Sequence, residues 1–189
     1  PKTHIVAANS YELEIIRLLY LFAPDDPVIR EMVDNTLARL KTTCYGYQDC
    51  HYGECFHTAL IVLRFLAAVS EESDWIKKLI NFFHKYNGET YRHSSTVWYF
   101  WLCLSELPFE IAEPELLRYK DELRARLNKS AVMNSESDKT LHPVLLCILR
   151  NCLCRFPEYA YIKNIKPYVS DKDGRLHFDM DVKTTLSLN

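Results

Sequence analysis

The segment Cys44-Tyr45-Gly46-Tyr47-Gln48-Asp49-Cys50-His51-Tyr52-Gly53-Glu54-Cys55-Phe56-His57 places three cysteines, two histidines, one aspartate and one glutamate within fourteen positions. Thiolate, imidazole and carboxylate can all ligate zinc. Cys50 and Cys55 stand five apart with His51 and His57 beside them, so one reading is a metal set drawn from Cys50, Cys55 and His57. A second reading is a polar pocket wall without metal, built from Asp49, His51 and His57. A third is a structural loop in which Tyr45, Tyr47 and Tyr52 fill a small core of their own. The Cys-x-x-Cys spacing of the commonest zinc sites is absent. The helix that follows offers free backbone N–H groups, which favour anions or thiolates.

Other polar loops precede apolar helices in the same way. They hold Tyr91-Arg92-His93, Lys139 with His142, and His177 with Asp179 and Asp181. If the helices stack in one direction, Asp49, His51, His57, Arg92, His93 and His142 meet at one rim and bind a polar head group. The aromatic run Trp98-Tyr99-Phe100-Trp101 would lie below it. Four consecutive helical residues point four ways, so at most two of these rings face one cavity. Core packing is the favoured role for them. No phosphate-binding glycine loop, Gly-x-Ser-x-Gly elbow or His-Glu-x-x-His pair occurs, and the residues name no reaction.

These groups are positioned by a recurring pattern: an amphipathic stretch, a polar loop, then a Thr-led apolar helix. The Thr anchors are Thr58, Thr96, Thr140 and Thr184, spaced 38 (96−58), 44 (140−96) and 44 (184−140) residues apart. A period near 40 is the size of one helical hairpin. Helices are expected over 11–22, with Ser10 as N-cap and Leu13, Ile16, Leu19 and Tyr20 on one face, and over 27–40, with Val28, Met32, Val33 and Leu37 at helical spacing. Further helices are expected over 55–69, 73–86, 95–107, 114–127 and 140–156, with a weaker one over 161–168. Those at 55–69, 95–107 and 140–156 are apolar on all sides, which predicts burial on all sides; those at 27–40, 73–86 and 114–127 are amphipathic, which predicts one wet face. The fold class this implies is all-α, with about four α/α hairpins in a single domain over residues 1–189, closed as a toroid or strongly curved arc, or part of a longer one.

The blocks Trp75-Ile76-Lys77-Lys78-Leu79-Ile80 through Asn87-Gly88 to Thr96, and Asp171-Lys172-Asp173-Gly174 to Thr184-Thr185-Leu186, resemble the repeat of α/α-toroid proteins. That superfamily includes squalene and terpene cyclases and protein prenyltransferase β subunits, and the resemblance covers most of residues 28–189. It implies a pocket at the rim of the inner helices for a small apolar or peptidic ligand or substrate. It also implies zinc as a candidate cofactor, because His57-Thr58 resembles the His-Thr of the prenyltransferase zinc helix. The Asp-rich motif and the Gln-Trp signature of the cyclases are absent. The alternative class is a non-enzymatic helical-repeat module that binds another protein.

The totals narrow the setting. The 189 residues are 48% hydrophobic and 25% charged, with a net charge of −2. That balance is globular, and it lacks the cationic excess that phosphate neutralisation needs, so no nucleic acid is expected as partner. Four glycines suit a helical chain. Cys103, Cys147, Cys152 and Cys154 fall in apolar helical runs and read as small buried hydrophobes. With no secretory leader visible and no membrane span expected, the cytoplasm is the expected location.

Overall fold

The computed structural model describes residues 9–43, 45, 53–86, 95–130, 141–164, 167–169, 171–172 and 176–178; for 53–57, 84–86, 95, 128–130, 141–142 and the strand residues it describes the backbone alone. The chain forms two compact units, Pro1–Leu107 and Pro108–Asn189.

The first unit contains α1 (Ser10–Phe22), α2 (Pro27–Lys41), α3 (Gly53–Val69), α4 (Ser73–Tyr86) and α5 (Ser95–Glu106). Helix α3 is its centre and packs against α1, α4 and α5. No residue of α3 from Thr58 to Val69 is exposed. Leu60, Val62, Leu63, Phe65 and Leu66 are fully buried, each contributing about 1.5–3 kcal/mol of transfer free energy. From α5 come Phe100, Trp101, Cys103 and Leu104, and from α4 Trp75, Ile76, Leu79, Ile80 and Phe83. The Phe83 and Phe100 rings lie 5.3 Å apart, and Trp98 meets Trp101 edge-on at 5.1 Å. Trp101 is wholly buried, as its apolar context predicts, while Trp98 is half-buried. Helix α4 has its wet face at Lys77, Lys78 and Asn81.

The starts of α1 and α2 differ. Asp26 takes extended backbone angles and its carboxylate accepts from the N–H groups of Val28 (2.8 Å) and Ile29 (3.3 Å), with Pro27 opening the helix. At α1 the cap position falls on Asn9 rather than Ser10, and no side chain closes it. The inward face of α1 is also not the expected one. Leu13, Ile16 and Arg17 are buried, and Leu19 is exposed. On α2 the buried positions are Val33, Thr36 and Leu40, while Val28 and Met32 face out.

The second unit contains α6 (Phe109–Ser130), α7 (Leu141–Leu153), a 3-10 helix (Pro157–Asn164) and an antiparallel pair of short strands, β1 (Pro167–Val169) and β2 (Leu176–Phe178). Pro114, expected to open α6, sits inside it. The Pro108 carbonyl accepts from Ile111 and Ala112 at 3.1 Å and starts the helix earlier. A proline there leaves one carbonyl without its helical donor, a cost of about 3 kcal/mol in a helix interior. Complete burial of Ala112 and Leu116 around it offsets that cost. Helix α7 packs on α6 and buries Ile148, Leu149, Cys152 and Leu153. The Lys120 ammonium lies 4.8 Å from the Phe156 ring and also pairs with Glu158. The expected helix over 161–168 is replaced by the 3-10 turn and β1. The architecture is thus helical, with one small hairpin that the all-α expectation did not include. Among the described residues no helix is long and apolar enough to cross a membrane.

Candidate functional site

The sequence-predicted metal and rim residues fall largely beyond description. Asp49, Cys50, His51, Arg92 and His93 lie outside the described residues. Cys55 and His57 are on the backbone of α3 and His142 on that of α7, but their side chains lie outside the described set. Tyr45 is the one member of the Cys44–His57 segment with a described side-chain environment before α3. It is buried, and its carbonyl accepts a 2.8 Å bond from the Trp75 indole of α4. The expected small core of Tyr45, Tyr47 and Tyr52 lies outside the described residues apart from Tyr45. Among the described residues no group of three or more His, Cys, Asp or Glu side chains could hold a metal ion.

A polar cluster that sequence reading missed joins α1, α3 and α5. Arg64 of α3 grips Glu106 of α5 through a two-pronged contact, Nε to Oε2 at 2.8 Å and Nη2 to Oε1 at 2.7 Å. Its Nη1 lies 3.4 Å from Glu14 Oε1 of α1. Arg17 donates from Nε to Glu14 Oε2 at 2.9 Å and sits 3.8 Å from Glu106. The Tyr99 hydroxyl donates to Glu14, and the Arg64 guanidinium lies 5.7 Å from the Tyr99 ring centroid. Two cations and two anions cancel. The fork geometry suits Arg, whose planar donors match a carboxylate.

The protonation states follow from these partners. Burial raises the Glu14 pKa, but the hydrogen bonds from Tyr99 and Arg17 and the charges of Arg64 and Arg17 outweigh it, leaving the carboxyl below its ordinary range. Burial opposes the charge on Arg64, yet Glu106, Tyr99 and Glu14 hold it more firmly protonated than a free guanidinium. Burial and the Glu14 carboxylate push the Tyr99 phenol well up. Complete burial, with Glu106 nearby, drives the Cys103 thiol well above its usual value. Burial pushes Cys152 up to about 12. Within the cluster the phenol acts as a hydrogen-bond donor and both carboxylates accept from arginine. The cluster is a clasp that sets the rotation of α1.

That rotation presents an apolar surface. Every exposed residue of α1 is a large hydrophobe: Tyr11 (81% exposed), Ile15 (56%), Leu18, Leu19, Leu21 and Phe22 (87%). Tyr11, Ile15, Leu18 and Phe22 follow the spacing of one helix stripe. On α2, Val28 and Met32 are exposed on the stripe that ends at Arg39. Arg39 reaches across to Glu12 of α1 at 2.9 Å, so this stripe borders the Ile15–Leu19 flank of α1. The six α1 side chains lie on one side of that helix, and clustered apolar exposure of this kind marks an interaction surface. Its signal was present in the sequence, because α1 carries hydrophobes all round. No protein-family model, no curated protein and no solved structure matches this chain.

Proposed function

We propose that this chain is a helical protein-interaction module that docks through the exposed apolar face of α1 and α2. The observation that carries this reading is the composition of α1, whose exposed positions are all large hydrophobes while its inner flank is clasped to α3 and α5. Water strongly disfavours such a surface, and burial of each of these side chains yields about 1.5–3 kcal/mol. The rigid clasp reduces the ordering cost of binding. The rim-pocket reading, with a toroid-like enzyme acting on an apolar or peptidic substrate, rests on residues outside the described set. Interaction is the reading that a described feature supports.

The test compares the immobilised wild-type chain with an Ile15→Glu/Leu18→Glu variant, both exposed to extract from the source cells. The wild type is expected to retain protein at near-stoichiometric amounts, further copies of the chain included, and the variant to lose it with its helical circular dichroism unchanged. Equal retention by both would refute the reading.

A further inference from the structure

We draw no further inference here: the strongest candidate, the exposed apolar face of α1 and α2, carries nothing beyond the interaction reading above because nothing in the structure shows what covers it.

Discussion

In α3 no residue from Thr58 to Val69 is exposed, whereas in α1 six of thirteen residues are exposed and all six are apolar. Both helices carry hydrophobes around their circumference. Helix α3 meets α1, α4 and α5 on its several sides, while α1 meets α2 and α3 on its inner side. All-round apolarity therefore states that a surface is to be covered, and the neighbours decide whether the cover comes from the same molecule. The same substitution should be costly in one helix and nearly silent in the other.

The largest effect is expected inside the α3–α5 core. Trp101→Ala removes a wholly buried ring and should lower stability by about 3–5 kcal/mol, read as a fall in denaturant midpoint at constant slope. Trp98→Ala should cost less, because Trp98 is half-buried. Losses under about 1 kcal/mol for both would remove α5 from the core.

Next comes the clasp that holds α1. Arg64→Met leaves Glu106 without its fork and Glu14 without one of its cations. A fully buried pair broken from one side costs about 3–5 kcal/mol and a surface pair about 1 or less. With Glu106 about a third exposed, a loss near 2 kcal/mol is expected. A double-mutant cycle with Glu106→Gln should show coupling above about 0.5 kcal/mol; strict additivity would mean the two residues do not act together.

How much of this was legible in the sequence depends on how far away the deciding residue lies. The start of α2 was legible because Asp25-Asp26-Pro27 contains its own cap and first turn. The buried row of α3 was legible because its apolarity is local. The inner face of α1 was not. Leu13, Ile16 and Arg17 make a better helical face than Leu13, Ile16 and Leu19, yet an arginine reads as solvated unless its partners are known. Those partners include Glu106, 89 residues away (106−17). The Glu14–Arg17 pair is local, three residues apart, but the pairing with residues 64, 99 and 106 is long-range and leaves no local pattern, so the full clasp is not legible in the sequence. Pro114 marks a first turn by local rule, yet the helix starts at Phe109, where the Pro108 carbonyl accepts its first bonds. The Cys44–His57 segment, the most chemically suggestive stretch, lies mainly outside the described residues.

A smaller effect concerns acid. The Glu14 carboxyl titrates below its ordinary value of 4.5 in the folded chain. A depressed carboxyl contributes stability that is present above the unfolded value and is lost as pH falls through the folded one. Stability should therefore decline on acidification from about pH 4.5 downward. Tyr99→Phe removes the hydroxyl that donates to Glu14 and should flatten that part of the profile. An unchanged acid limb in the variant would show that the Tyr99 contact does not set the Glu14 pKa.

The smallest effect on folding is expected at the outer face of α1, and its smallness is the informative quantity. Leu18 and Ile15 are as apolar as Leu63 and Leu66, so a scale based on residue type alone assigns all four the same cost. Leu63→Ala should cost about 2–5 kcal/mol, since its site is fully enclosed. Leu18→Ala should stay within about 0.5 kcal/mol, as surface substitutions away from special contacts do. If Leu18→Ala cost several kcal/mol, α1 would be buried within its own molecule, and the contrast between the two helices would vanish.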